Sequence, residues 1–546
     1  MKKIIITFSF ALLLFPLNYL MSQISQQWVA RYSFPGKEFQ SISNSVQVDT
    51  MGNVYITGFV NYEILSLENH YDIVTIKYNA SGEELWTQNY HYGIPNDMVI
   101  DNMGNVYIVG VGMDSLTNRS SAITIKYNTN GIKQWEAKYY ISDTSYGEIR
   151  SVKVDNLGNV YSGGYYGSIG NYNFILIKYN SSGSQQWVSE FDGLGHKDDY
   201  ANDMALDAFG NIYLTGTTIP GVLYEDYATV KFNNAGIQQW VRTHNGSMNR
   251  SDLATCISLD DSGNVCVSGV TTEISTGGDY TTIKYNSSGI QLWIQRYNGP
   301  ISSGDRAECI ATDLSGNVYV SGRSRGSGTS DDFATVKYNS SGVPQWVKRF
   351  NGAESNNDRA IAMTLDDSSN VYVTGYTGSF ATFNDIVSLK YSTLGIQLWT
   401  QIHNGPLNGF DFPTDIATDN SGGIYITGSE SNKAGFDYNF VTIKYSPSVS
   451  IQNISSILPD KYVLSQNYPN PFNPTTNINF DIQRTSHVKI VVYDINGKEI
   501  STLVNEELKT GSYKADFDGS NLSSGIYYYT MTTNDFVETK KMILVK

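Results

Sequence analysis

The sequence predicts an all-β protein, an eight-bladed β-propeller of four-stranded blades followed by a small Ig-like β-sandwich, and three observations carry that prediction. First, one seven-residue element recurs: GNVYITG from Gly52, GNVYIVG from Gly104, GNVYSGG from Gly158, GNIYLTG from Gly210, GNVCVSG from Gly263, GNVYVSG from Gly316, SNVYVTG from Ser369 and GGIYITG from Gly422, at steps of 52, 54, 52, 53, 53, 53 and 53 residues. Second, all eight tryptophans (Trp28, Trp86, Trp135, Trp187, Trp240, Trp293, Trp346 and Trp399) hold one place in that period, and a Lys-Tyr or Lys-Phe pair holds another, from Lys77 to Lys444. Third, each unit contains four alternating apolar segments between short Asp/Asn/Ser/Gly turns, the pattern of antiparallel strands. Four-stranded units of this length, repeated, build a propeller, which removes long open edges by arranging its sheets radially.

Taken in order along the chain, Met1 to Ser22 pairs two lysines with an apolar run too short to span a bilayer comfortably, and reads as a cleaved secretory signal peptide. Residues 23–445 are the propeller. Its first segment is a lone tryptophan strand around Trp28, while the last unit stops at Tyr445 without one. Ring closure therefore predicts that the N-terminal strand completes the eighth blade, with Trp28 beside Lys444. In each unit the Asp-x-x-Gly-Asn stretch reads as a type I turn with Gly in the left-handed region rather than as a calcium loop, whose spaced oxygen ligands it lacks. The once-per-blade tryptophan is expected to cover the gap between neighbouring sheets.

Composition narrows the function. The 546 residues carry a net charge of -15 and 40 tyrosines. So acidic a chain has no basic face for phosphate binding, and nucleic acid is excluded as a partner. Cys256, Cys266 and Cys309 have no metal-ligand spacing; they read as buried thiols, although one pair could still close a disulfide. No cofactor or metal motif is present. The scattered histidines and the lack of GxSxG or HExxH give catalysis little support, though a carboxylate pair from distant loops stays open.

Function is expected on the face where the loops after each GNVYxxG strand and each tryptophan strand emerge, because these loops differ from unit to unit. Two groups there are candidate ligand residues. Asp199, Asp252, Asp305, Asp358 and Asp411 stand eight residues before each turn Asp; they form either a carboxylate arc at the channel mouth or side-chain turns to backbone N–H groups. Tyr165, Tyr166, Tyr172, Tyr224, Phe380, Phe383 and Phe436 are loop aromatics, suited to stacking on a glycan or protein ligand or to packing between loops.

The repeated D..GNVY..G...D..T.KYN.SG...W unit, from Trp28 to Tyr445, resembles the bacterial β-propeller repeat (SBBP) family. Its YN-SSG-x-Q-x-W portion is also similar to the tryptophan-docking motif of eight-bladed quinoprotein propellers, a likeness of blade packing rather than of cofactor chemistry. After a linker over 446–460, residues 461–546 alternate like a small sandwich, with Pro469, Pro471 and Pro474 fixing an extended entry. This stretch resembles the type A C-terminal sorting domain of the type IX secretion system of Bacteroidota. The resemblance rests on Asn467, Tyr468, Pro469, Asn470, Pro471, Phe472, Asn473 and Pro474, the turn ending at Gly497, the LSSGIYYY segment containing Gly525, and Lys540-Lys541 near the end. It implies the secretion machinery as a partner and an exported or outer-membrane-surface location. The leading expectation is a monomeric surface binding or adhesion scaffold with a glycan or protein ligand; the alternative is a carbohydrate-active hydrolase or lyase using acidic residues of the variable face.

Overall fold

A computed structural model describes residues 24–33, 38–63, 69–113, 120–140, 146–221, 224–431, 437–447, 452–455, 459–519 and 522–546. The signal segment and Phe436 lie outside the described residues. Eight four-stranded antiparallel sheets follow one another, seven of them with their strands in chain order from inner to outer. Blade 1 spans Glu38–His91, blade 2 Gly93–Tyr139, blade 3 Tyr146–Phe191, blade 4 Tyr200–His244, blade 5 Leu253–Tyr297, blade 6 Arg306–Phe350 and blade 7 Asp358–His403. Blade 8 joins Asp411–Pro447 to the N-terminal strand Ile24–Tyr32, and Trp28 pairs with Lys444 across that seam.

The shared residues of the repeat are consumed in holding a blade and docking it on the next. In blade 6 the Asp313 carboxylate accepts the backbone N–H groups of Ser315 and Asn317 at one oxygen, and the Asn317 amide and Tyr319 hydroxyl at the other, all within 2.7–2.9 Å. Gly316 turns the chain at φ 75°, where a side chain is strained. Lys337 lies 4.9 Å above the Tyr319 ring, a cation–π contact. Its ammonium and the Trp346 indole N–H both donate to the Thr393 carbonyl of blade 7, at 3.0 and 3.1 Å. Beneath the indole sits Gly395, where a Cβ would meet the ring at 2.9 Å. The same indole-to-turn bond recurs from Trp28, Trp86, Trp135, Trp187, Trp240 and Trp293, so seven tryptophans dock seven turns.

Blade 5 shows what the tyrosine does by losing it. Cys266 takes its place, and Lys284 instead pairs directly with Asp260 at 2.7 Å, both side chains almost fully buried. Burial would raise the Asp260 carboxyl, but hydrogen bonds from Lys284 and Asn264 hold it below the ordinary carboxylate range. All three cysteines are free, and burial pushes the Cys266 thiol up to about 12.

The C-terminal module packs two four-stranded sheets around one apolar core that includes Phe472, Phe480, Ile490, Tyr529 and Met542. Its first strand is Gln452–Ser455, which pairs with Gly511–Asp518. Gln452–Ser455, inside the expected linker over 446–460, is thus the edge strand of one sheet.

Candidate functional site

One column of the repeat does not share the fate of the others. Asn44, Asn96, Arg150, Asn202, Thr255, Glu308, Ile361 and Thr414 each stand five residues before the turn Asp, and each is the extra residue of a β-bulge on its inner strand. Opposite each bulge lies the closing glycine of GNVYxxG. A Cβ on Gly58, Gly110, Gly164, Gly216, Gly269, Gly322, Gly375 or Gly428 would sit 1.9–2.4 Å from an inner-strand carbonyl oxygen. The glycine lets the bulge close, and the bulge re-aims one side chain per blade. Those side chains bridge neighbouring inner strands: Asn96 donates to the Ile149 carbonyl at 2.8 Å, Asn202 to Ala254 at 2.8 Å and Thr255 to Ala307 at 2.9 Å.

Where the column carries charge, a cavity opens. Arg150, Tyr200, Asn202, Glu225, Arg306 and Glu308, from blades 3 to 6, line a space of about 470 Å³ at the variable end of the inner strands. Arg150 is held in place from three sides: its Nε donates to Glu148 at 3.2 Å, its Nη1 to the Asn202 amide oxygen at 2.5 Å, and its guanidinium lies 4.8 Å over the Tyr165 ring. Tyr165 in turn packs edge-on against Tyr200 at 4.8 Å. Across the cavity Arg306 approaches Glu308 at 3.2 Å. Burial raises the Glu308 carboxyl above the ordinary range, although Arg306, Arg323 and Arg359 oppose it. The site thus offers one guanidinium held on three sides, a second beside Glu308, two carboxylates, an amide and a phenol, an arrangement able to orient a polar ligand by charge-assisted bonds. Among the described residues no group of three or more His, Cys, Asp or Glu is placed to hold a metal ion.

Most residues expected from the sequence to meet a ligand lie elsewhere. Asp199, Asp252, Asp305, Asp358 and Asp411 are 0% exposed, so they form no open carboxylate arc. One oxygen of each accepts a backbone N–H from the preceding crossover loop, at Gly193, Gly246, Gly299, Gly352 and Gly405. In four of them the other oxygen accepts an N–H at the end of the blade's own second strand, at Thr272, Arg325, Gly378 and Ser431. They tie a loop to a strand because a buried carboxylate needs donors, and backbone N–H groups supply them. Tyr165 and Tyr166 are buried as well. Tyr165 supports Arg150, and Tyr166 packs on Tyr139 at 5.6 Å. Tyr224 and Phe383 are exposed, 46% and 53%, and neither lines the axial cavity, although Tyr224 precedes its lining residue Glu225.

The buried carboxylates give a pH dependence with a definite sign. Burial, with Asp252 close by, pushes Asp226 from 3.8 to about 6, and burial pushes Asp411 to about 6 against the hydrogen bonds it accepts. Between those values the folded chain holds protons that the unfolded chain has released. Their contribution to stability is full below the unfolded value and is lost as pH rises through about 6. In thermal scans from about pH 4 to pH 7, Asp226→Asn is expected to flatten the fall in unfolding midpoint and to raise it at neutral pH. A steeper fall, or a lower midpoint at pH 7, would contradict this assignment.

In the C-terminal module the proline cluster is locked to the sandwich. Asn467 is buried; its N–H donates to the Tyr529 hydroxyl at 2.8 Å and its amide to Thr476 at 3.0 Å. Phe472 inserts into the core and bonds to Ile543 and Val545 through its backbone. Residues 466–546 match the family model of the secretion system C-terminal sorting domain, and residues 186–219 and 345–381 match that of the β-propeller repeat, SBBP. The chain carries β-propeller repeats and ends in a secretion system C-terminal sorting domain. No curated protein matches it. Solved structures with similarity include the Dos1 propeller, at 9% identity over 78% of this chain and 95% of that one, TM-score 0.47. Others are the β-propeller domain of the Trilobed protease from Pyrococcus furiosus, at 8% over 66% and 93%, TM-score 0.36, and the polysaccharide lyase Uly1, at 10% over 76% and 94%, TM-score 0.39.

Within the sorting domain Gly497 closes a turn at φ 80° whose Asp494 accepts the N–H groups of Asn496 and Lys498, the same device used in each propeller blade. Gly525 opens the strand Gly525–Thr532, which pairs with Val537–Leu544. Tyr468, Pro469, Asn470, Pro471, Asn473 and Lys541 remain exposed, so the polar rim of the proline cluster and the end of the last strand share one accessible region, joined by the Asn470 amide at Ile543. Lys540 pairs with Glu538 at 2.9 Å. A sorting domain of this kind marks the propeller as cargo secreted by the type IX system.

Proposed function

We propose that this chain is a surface-displayed or released binding propeller, delivered by its sorting domain and presenting a ligand site at the axial mouth of blades 3 to 6. The observation that carries the proposal is the 470 Å³ cavity whose lining includes Arg150 and Glu308, charged residues that no other unit has at that position, while the shared residues are spent on blade docking. Mixed charge fixed by aromatic packing favours a polar ligand such as a glycan or a protein loop. A second reading, a carbohydrate-active hydrolase or lyase, is favoured by the two carboxylates of that cavity, Glu225 and Glu308, the latter raised by burial. Mature chain incubated with a saccharide panel separates them. Retention without cleavage that is lost in Arg150→Gln supports the binding propeller, and turnover abolished by Glu308→Gln supports the enzyme.

An N-terminal signal peptide followed by recognition of the sorting domain is the proposed route. Removing residues 452–546 is expected to leave the protein in the periplasm, read by protease shaving and fractionation of the producing cells. Undiminished surface display of the truncated chain would defeat the export reading.

A further inference from the structure

A second cavity, of about 230 Å³, lies on the same variable face at the tip of blade 7, lined by Ser330, Asn356, Asn357, Phe383, Asn384 and Phe410 with Gly378 and Ser379 as its floor. In a chain of net charge -15, none of these eight residues is charged. Phe383 stands at φ 61°, in the left-handed region, where a bulky side chain is a strained outlier. It keeps its ring half-exposed, with a face 4.8 Å from Phe410. Phe410 continues inward to Phe412 and Tyr376, at 5.9 and 5.2 Å, so a run of rings anchors the exposed one. The side-chain amides of Asn356, Asn357 and Asn384 make no hydrogen bond within the described residues. Glu354, the nearest carboxylate on the loop, is turned to the N–H of Phe380.

We propose that this cleft binds a single neutral sugar ring of a glycan, stacked on Phe383 and hydrogen-bonded by the amides of Asn356, Asn357 and Asn384. An aromatic face takes the apolar C–H face of a pyranose, and amides, donor and acceptor at once, match its hydroxyls. The absence of charge selects against uronates and sulfated sugars, which would meet no counter-ion. The volume suits one ring rather than the roughly 300–1,000 Å³ of larger ligand sites. The site is separate from the axial cavity, and the two proposals fail independently.

The test uses the mature full-length chain on immobilised neutral polysaccharides (dextran, mannan, xylan and cellulose) beside acidic alginate and hyaluronan. Binding to at least one neutral polymer is expected, weakened about tenfold or more by Phe383→Ala and by Asn356→Ala with Asn384→Ala, and indifferent to Arg306→Gln. Phe383→Gly gives the fold the residue its φ prefers. It is expected to keep or raise the unfolding midpoint while losing the sugar, which separates a strained binding residue from a structural one. The proposal is overturned if no neutral polymer binds, if binding survives these substitutions, or if only the acidic polymers are retained.

Discussion

Trp293→Ala is expected to destabilise the propeller by about 3–5 kcal/mol, the range for truncating a buried large aromatic. The ring is 9% exposed, packs in the apolar cluster between blades 5 and 6 and lies 5.9 Å from Tyr338. Its N–H is the donor to Ser340 at 3.1 Å, and its face covers Gly342, where a Cβ would approach to 2.7 Å. Truncation therefore removes apolar burial, a hydrogen bond and the cap on a turn together. Gly342→Ala attacks the same contact from the other side, with φ 83° adding backbone strain. Urea unfolding of both variants should show a lower midpoint than the parent. A change below about 1 kcal/mol in Trp293→Ala would mean the indole is not what locks the blades.

Deleting Ile24–Tyr32 is expected to cost the most, because it opens the ring. The strand fills blade 8 along Tyr438–Pro447, and Trp28 carries the seam to blade 1 through the Ala80 carbonyl and Gly82. Without it, the edge of blade 8 is an unpaired strand of apolar alternation, a template for intermolecular pairing. Glu430 also loses a partner. Burial would raise its carboxyl, but hydrogen bonds from His403 and Arg31 hold it below the ordinary range, and only His403 would remain. Aggregation or heightened protease sensitivity in size-exclusion and limited proteolysis is the expected outcome. A monomeric, protease-resistant product would show that closure does not depend on this strand.

The blade number, the seam and the docking role of the tryptophans were legible because each is written as a period: eight copies of one turn-and-strand element, eight indoles, and an orphan strand at the start of an array whose last unit lacks one. The bulge was not legible. It comes from a glycine meeting a carbonyl on the neighbouring strand, and the residue it re-aims varies by design, so Asn96, Arg150 and Glu308 look unrelated in sequence. A signal was present in that variation, since the position holds Asn, Arg, Thr, Glu or Ile while the turn Asp five residues on never changes. The five aspartates misled in the opposite direction. Their repetition suggested a ring of ligands, but their donors lie in the preceding loop and some 20 residues downstream, a meeting only the folded ring creates. Phe383 was legible as a loop aromatic, though nothing in the sequence placed Phe410 behind it or the amides of Asn356, Asn357 and Asn384 around it.

The central claim is that shared positions build the ring and variable positions bind. The most direct measurement is ligand binding by the mature chain carrying Phe383→Ala, which silences the blade 7 cleft, with and without Arg306→Gln and Glu308→Gln, compared with its unfolding midpoint. Both charge-removing changes act on the axial cavity, Glu308→Gln isosterically and Arg306→Gln with a shorter polar side chain. The expected result is loss of binding by about tenfold or more with a midpoint shifted by no more than about 2 °C, as for substitutions away from the packed core. Undiminished binding, or a loss of binding that comes with a collapsed midpoint, would contradict it.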